Sequence, residues 1–331
     1  MTARFDARRL AILALVTLVV WLAVATVCTL SGSTGGFGHV SGSVAWLRLQ
    51  RNVLPASMIG AALAAAGVAY QAVLRNPLAD PYLLGVSSGA TLAAYVWRLP
   101  LATAIPLLAG SSPHAIAMLG AALAVGVVLI ASRRHGRIDP VTAVLSGVIV
   151  NALCGSLFML LNAIFRDAPG GGGMLTFLVG DLQPSVSTRD LNISAAIIAV
   201  GFACLVPLAA RLNVVRLGED EAASLGVHVH RVRWLTLTVA SLMTAAAVAI
   251  SGPIGFVGLV CPHVARYFVG NDNRRLLIVA TGVGASLLAL ADLVARHLLA
   301  DDRLGVLIPV GVITSLAGAP FFLVLLLRGR R

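Results

Sequence analysis

Two residues of opposite charge, Asp292 and Arg296, lie four positions apart inside an apolar stretch near the C-terminal end of the chain. Residues at this spacing share one face of a helix, where an ion pair would neutralise both charges. An ionisable group within an apolar span is also a candidate for a proton relay. The sequence therefore leaves two hypotheses open, a structural ion pair, which the spacing favours, and a proton-coupling site.

The cysteines and histidines form no recognisable metal-binding pattern. All four cysteines lie in apolar runs and no C-x-x-C pair occurs, which is typical of small buried hydrophobic residues. Of the 7 histidines, only His228 and His230 are close together. A haem ligand or metal relay among the histidines stays open as an alternative, but the sequence predicts no metal site. The four cysteines are Cys28, Cys154, Cys204 and Cys261.

Every one of the 24 basic residues is an arginine, and this excludes two kinds of chemistry. A Walker A loop needs a lysine on the nucleotide phosphates, and a Schiff-base enzyme needs a lysine amine. We therefore expect no cofactor on this chain and no enzymatic activity. If ATP drives the protein, ATP and Mg are bound by a partner ATPase.

The composition indicates a membrane protein. Of the 331 residues, 59% are hydrophobic and 11% are charged, and the mean hydropathy is +0.95. Soluble proteins carry about 25% charged residues. Stretches without charge approach or exceed the roughly 20 residues that cross a bilayer. The sequence thus predicts an all-α polytopic fold with about ten transmembrane helices, at 10–30, 53–74, 82–97, 114–132, 140–165, 191–210, 234–251, 256–269, 276–299 and 305–327.

The distribution of arginine predicts the orientation of these helices. The first apolar run, Leu10–Leu30, is too long for a signal peptide and is expected to be retained. With a cytoplasmic start, 17 of the 24 arginines fall on the inside, as the positive-inside rule requires. We expect a protein of the cytoplasmic (inner) membrane with both termini in the cytoplasm. The arginines on the outside are Arg48, Arg51, Arg98, Arg166, Arg189, Arg296 and Arg303.

Several motifs combine turn-forming residues with polar groups. Residues 75–85 read R-N-P-L-A-D-P-Y-L-L-G, and residues 217–226 read L-G-E-D-E-A-A-S-L-G, a short acidic helix between glycines. Residues 256–263 read F-V-G-L-V-C-P-H. Gly85–Gly89 is expected to interrupt the third span and Cys261–His263 the eighth, because glycine and proline break helices in membranes.

In this order and spacing, the motifs resemble the FecCD-type permeases of binding-protein-dependent ABC importers for ferric siderophores, haem and cobalamin. The resemblance extends from about Arg48 to the C-terminus. It implies one transmembrane permease domain over residues 1–331, with the type II ABC importer permease fold and two oppositely oriented four-helix halves. It also implies a homodimer in the lipid bilayer, two ATPase subunits on the cytoplasmic side, a periplasmic or lipid-anchored binding protein and no nucleic acid.

The implied function is import of a metal chelate into the cytoplasm, and the alternative is an ion-coupled secondary transporter that uses Asp292. Two segments depart from the family pattern near the expected entrance, the glycine run Gly170–Gly173 and the insertion 301–307. The segment Gly172–Leu182 is faintly similar to cobalamin permeases, whereas Arg166 could meet a haem propionate or a siderophore carboxylate. The sequence leans slightly to cobalamin and leaves haem and siderophores open.

The resemblance also implies roles for single residues. Arg48, Arg51 and Arg296 would dock the binding protein, although arginines at a membrane interface also reach to lipid phosphates. Asn76 and Leu78 would form the cytoplasmic gate, or would simply build a structural turn. Residues 217–233 would form the cytoplasmic coupling segment, which transmits ATP hydrolysis from the ATPase to the membrane helices.

A surface segment with apolar residues outside the bilayer fits a groove on a partner protein, although a solvated loop helix remains the alternative. The residues predicted to contact the ATPase are Leu217, Gly218, Glu219, Ala222, Leu225 and Gly226.

Overall fold

The chain folds almost entirely into helices in a computed structural model that describes residues 2–31, 41–99, 111–134, 137–165, 180–182, 186–298 and 308–328. A π-helical turn spans Leu49–Val53 and a 3-10 turn spans Pro81–Leu84. Two short antiparallel strands, β1 (Arg133–Arg134) and β2 (Arg137–Ile138), connect the helix that ends at Ala131 to the helix that begins at Pro140. The helices are α1 Thr2–Leu30, α2 Gly42–Arg48, α3 Leu54–Leu74, α4 Val86–Arg98, α5 Pro113–Ala131, α6 Pro140–Ile164, α7 Thr188–Val215, α8 Glu219–Ser224, α9 Val229–Ser251, α10 Val257–Val269, α11 Asn273–Leu298 and α12 Val310–Arg328.

Seven helices of the described residues are long and apolar enough to cross a bilayer. α10 and α12 are shorter apolar helices, and α4 occupies the position of the third predicted span. Each of the ten predicted spans therefore has a helix at its place, and the predicted polytopic α-helical class is confirmed. The Gly170–Gly173 run, Arg166 and the insertion 301–307 lie outside the described residues.

Several predicted helix boundaries are wrong, most clearly that of the second span. This helix was expected to begin at residue 53, but α2, the π-helical turn and α3 form one apolar stretch from Gly42 to Leu74. Helices continue past the membrane boundary wherever the backbone can still hydrogen bond, so charged residues mark the boundary and do not end the helix. Four other spans begin three or more residues earlier than expected, at residues 2, 188, 229 and 273, and α7 continues to Val215.

One of the two predicted interruptions is confirmed. Gly85 adopts the left-handed conformation with φ of 80° and separates the 3-10 turn from α4. The other prediction is wrong, because α10 runs unbroken from Val257 to Val269 with Pro262 inside it. Proline cannot donate to the carbonyl four residues earlier, which is that of Gly258. The side-chain Nε2 of Gln71 donates to this carbonyl at 3.4 Å, and α3 thereby satisfies the group that the proline leaves free.

The core forms around α3, most of which is buried between α7, α9, α10 and α11. α3 and α11 approach each other at Gly60 and Gly284, where a Cβ atom on either residue would collide with the backbone of the other. Lipid provides no hydrophobic force between helices, so close backbone packing through small residues holds such a bundle together. This packing fixes the relative position of the helix ends that carry the polar motifs.

Candidate functional site

The acidic motif forms the short helix α8, which connects α7 to α9. Gly218 precedes it with φ of 150°, and Gly226 follows it with φ of 76°, conformations that disfavour other residues. The first turn holds Glu219, Asp220 and Glu221, whose negative charge stabilises the positive end of a helix dipole. The sequence therefore folds locally into a helix that is bounded at both ends by glycine.

An ion pair attaches α8 to the rest of the protein. Arg233 Nη1 on α9 lies 2.7 Å from Glu219 Oε1, and the arginine side chain is largely buried. Ala222 is fully buried against its own chain, so the expectation that it contacts a partner is wrong. The leucines on either side of α8 are exposed instead, Leu217 to 67% and Leu225 to 64%. The segment thus presents two apolar side chains on an anchored scaffold.

A groove of about 510 Å³ runs between α8 and the start of α9. Acidic side chains of α8 and basic side chains of α9 line it, among them Asp220 and Arg231. The groove and the leucines beside it therefore offer a partner chain both charged and apolar contacts within one small area.

The predicted gate residues lie in the turn that follows α3. Arg75 ends α3 in the left-handed conformation, and Asn76 Oδ1 accepts a hydrogen bond from the backbone N–H of Leu78 at 2.9 Å. Both Asn76 and Leu78 are half-buried. Within this single chain the Asn76 side chain stabilises its own turn, while Leu78 is held at the tip by that hydrogen bond.

Asp80 connects this turn to the second half of the chain. Its carboxylate accepts from the backbone N–H of Tyr82 at 3.0 Å and also bonds the backbone of Phe256, just before α10. Burial raises the pKa of Asp80 to about 6, and the two backbone bonds oppose that rise. The place of Asp80 between two prolines indicates a residue that caps the freed backbone, and the structure confirms it as the N-cap of the 3-10 turn.

The arginines predicted for docking differ in how free their side chains are. Arg48 is half-buried, and its Nη1 donates to the backbone carbonyl of Ser31 at 2.5 Å. Arg51 is exposed and lines a cavity of about 540 Å³ between the π-helical turn, α3 and α7. Both were expected just before the second helix, but they lie within it.

Arg296 is engaged with Asp292, as one of the two hypotheses required. Its Nε lies 2.9 Å and 3.0 Å from the two carboxylate oxygens, and Asp292 is 4% exposed. The pair lies on one face of α11. A carboxylate whose two oxygens both contact a guanidinium is neutralised, whereas a proton relay must exchange its charge.

The described residues contain no group of three or more histidine, cysteine, aspartate or glutamate side chains that could hold a metal ion. The polar features concentrate instead at helix ends and connecting turns. This arrangement suits docking and gating better than bond-making chemistry.

The model of the FecCD transport family matches residues 8–328, which is nearly the whole chain. The chain belongs to the FecCD transport family. Its members are transport components and not enzymes, and this chain is a permease of the ABC importer type rather than an ion-coupled carrier.

The comparisons with individual proteins agree with this assignment. The chain is 41% identical over 289 residues to the ABC transporter permease protein YvrB of Bacillus subtilis, which covers 86% of this chain and 78% of that protein. It is 41% identical over 285 residues to the cobalamin import system permease BtuC of Halobacterium salinarum (86% and 73% covered) and 39% identical over 288 residues to the hemin transport system permease HmuU of Yersinia pestis (86% and 84% covered).

A solved structure supports the fold independently. It is an inward-facing metal-chelate type ABC transporter, which superposes with a TM-score of 0.81 at 28% identity and covers 95% of this chain and 98% of that one. The relatives named for cobalamin and for hemin match about equally well. Overall identity therefore gives no preference between these two chelates.

Two functional contacts were missed at the sequence level, those of Arg233 and Gln71. Arg233 was placed outside the following helix, so its pairing with Glu219, 14 residues earlier, was not considered. The available signal for Gln71 was an amide deep inside a run, 52–74, that contains no charged residue.

Proposed function

We propose that this chain imports a metal chelate as a homodimer at the cytoplasmic membrane, with both termini in the cytoplasm. A substrate-binding protein delivers the chelate on the outer side, and two ATPase subunits hydrolyse ATP on the cytoplasmic side. Cobalamin, haem and ferric siderophores remain the candidate chelates, with cobalamin favoured slightly on the segment Gly172–Leu182, as the sequence indicated. In this proposal Leu78 and Asn76 of the two copies form the cytoplasmic gate.

The observation that carries the proposal is the pair of exposed leucines beside α8. Leu217 and Leu225 are 67% and 64% exposed in the connection between α7 and α9, which this proposal assigns to the cytoplasmic side. The Glu219–Arg233 ion pair holds the helix between them in a defined orientation. Apolar side chains on an anchored surface helix support its assignment as the coupling element that receives the ATPase.

The test replaces Leu225 with aspartate and measures co-purification of the ATPase. We expect Leu225→Asp to leave the protein inserted and folded, because the side chain is exposed, but to lower ATPase binding at least tenfold. ATP-driven uptake in proteoliposomes is expected to fall with it.

Arg211→Gln provides the matched control. It changes the net charge by the same amount at an exposed position on the same connection, at the end of α7. Full ATPase binding by Leu225→Asp would overturn the assignment of α8 as the coupling element. An equal loss in Arg211→Gln would attribute the effect to charge alone.

The chelate itself is identified by a separate measurement. The binding protein that associates with this permease is purified with its natural ligand, and the ligand is identified by mass spectrometry. Recovery of a corrinoid would support cobalamin as the transported chelate. Recovery of a porphyrin or a ferric siderophore would identify haem or a siderophore as the chelate instead. A ligand without a metal would overturn the chelate proposal.

A further inference from the structure

Four helix ends enclose a cavity of about 370 Å³ beside the coupling segment. The walls come from the C-terminal ends of α3, α7 and α10 and from the start of α11. Three arginines line this cavity, Arg75, Arg216 and Arg266. Three positive charges thus face one small volume at the end of the bundle where α8 lies.

No carboxylate among the described residues is paired with these arginines. Arg75 and Arg266 donate at 2.9 and 3.0 Å, and Arg216 also donates one hydrogen bond, in each case to a neutral oxygen. A guanidinium carries several N–H donors, so each side chain retains donors for a ligand. The accepting oxygens belong to Val215, Gln71 and Asn271.

A buried amide points to the same ligand. Asn273 begins α11, lines the cavity and is only 4% exposed, yet its Nδ2 has no hydrogen-bond partner among the described residues. A buried donor without an acceptor is costly. The neighbouring carboxylate of Asp272 does not line the cavity and is engaged elsewhere, since it accepts from Asn213 at 2.6 Å and lies 3.7 Å from Arg275.

Favourable interaction with helix C-termini explains part of this arrangement. Basic residues stabilise the negative ends of helices, and Arg75 bonds a carbonyl at the end of α7. That effect does not explain why three cations share one cavity, where they repel one another, or why the Asn273 donor is left free. A bound anion accounts for both features.

We propose that this cavity binds a phosphate group, carried either by the headgroup of an anionic phospholipid or by inorganic phosphate. Phosphate oxygens match the planar donor fork of arginine and can also accept from an amide. The ligand would connect the gate turn after α3 to the start of α11. The proposal does not depend on which chelate is transported.

The purified full-length protein in neutral detergent provides the test. Binding of phosphatidylglycerol is measured by native mass spectrometry, and inorganic phosphate is titrated in thermal unfolding. We expect Arg75→Gln and Arg216→Gln each to weaken binding about tenfold, because each removes a charged hydrogen bond. Arg274→Gln is the matched control, since it removes an exposed arginine at the same end that does not line the cavity.

Asn273→Asp keeps the size of the side chain but places a negative charge in the cavity. We expect it to abolish binding of both probes while the protein still unfolds cooperatively, which separates a ligand effect from a folding defect. If phosphate stabilises the protein but the lipid is not retained, the natural ligand is free phosphate. If the lipid is retained and phosphate displaces it, the ligand is the lipid headgroup. Absence of binding to the unaltered protein, or equal losses in Arg274→Gln, would overturn the site.

Discussion

At the scale of single residues, a negative charge inside an apolar stretch of α11 is neutralised by a positive charge on the same helix. Asp292 is 4% exposed, and Arg296 reaches both of its carboxylate oxygens from the next turn of α11. Removing one member of a buried pair leaves the other charge uncompensated, which costs more than the intact pair contributes. The charge of Asp292 therefore depends on Arg296, and the arginine is less free to dock a protein than the exposed Arg51.

The first prediction tests this dependence by a double-mutant cycle. We expect Arg296→Gln to destabilise the protein by about 3 kcal/mol, and the double variant Asp292→Asn with Arg296→Gln to be more stable than that single variant. Thermal or denaturant unfolding of the purified protein measures both. Arg51→Gln serves as a control, because loss of an exposed arginine is expected to cost about 0.5 kcal/mol or less. Additive effects of the two changes would contradict a stabilising pair.

At the scale of elements, α3 supplies from a side chain a hydrogen bond that α10 would ordinarily make within its own backbone. Pro262 leaves the carbonyl of Gly258 without its usual donor, and Gln71 Nε2 replaces that donor from α3. The same amide accepts from Arg266 through its Oε1 at 3.0 Å. Gln71 thereby connects α3 to the last turn of α10, beside the turn that follows α3.

The second prediction concerns this exchange of donors. We expect Gln71→Leu to destabilise the protein by about 1–3 kcal/mol, because the carbonyl of Gly258 becomes a buried acceptor without a partner. The loss is expected to be smaller in a Pro262→Ala background, where the helix regains its own N–H donor. The two losses are measured from the unfolding free energies of the unaltered protein, the two single variants and the double variant. Equal losses in both backgrounds would show that Gln71 acts through Arg266 alone.

The sequence predicted the positions of the ten helices because membrane spans must satisfy their backbone internally and exclude most charges. It could not predict their ends, since Arg48 and Arg51 continue a helix that was expected to start after them. It predicted a proline break in α10 that a side chain from α3, 187 residues away in sequence, prevents. It likewise predicted that Ala222 faces a partner, whereas Ala222 is buried within the chain and Leu225, just after α8, is exposed.

At the scale of the whole molecule, the polar features divide between the two ends of the bundle. Asn273 and the phosphate cavity lie at one end of α11, and Arg296 lies 23 residues further along it, a distance of about 35 Å in a helix. The hydrocarbon core of a bilayer is about 30 Å thick. One helix thus spans the distance between the end that carries the coupling segment and the end that carries the predicted docking arginines.

The last prediction uses this separation to test docking of the substrate-binding protein. Arg51 is exposed whereas Arg48 is half-buried and donates to Ser31, so we expect Arg51→Glu to slow association more than Arg48→Glu does. Charges at the rim of an interface mainly accelerate encounter, so the association rate is expected to fall about tenfold at low salt and to become less sensitive to salt. Surface plasmon resonance with the intact importer measures both rates. Arg274→Glu makes the same charge change at the opposite end of the bundle and is expected to leave docking unchanged, since that face is distant from the binding protein. If Arg274→Glu slowed association equally, or if Arg51→Glu left the association rate unaltered, Arg51 would not belong to the docking surface.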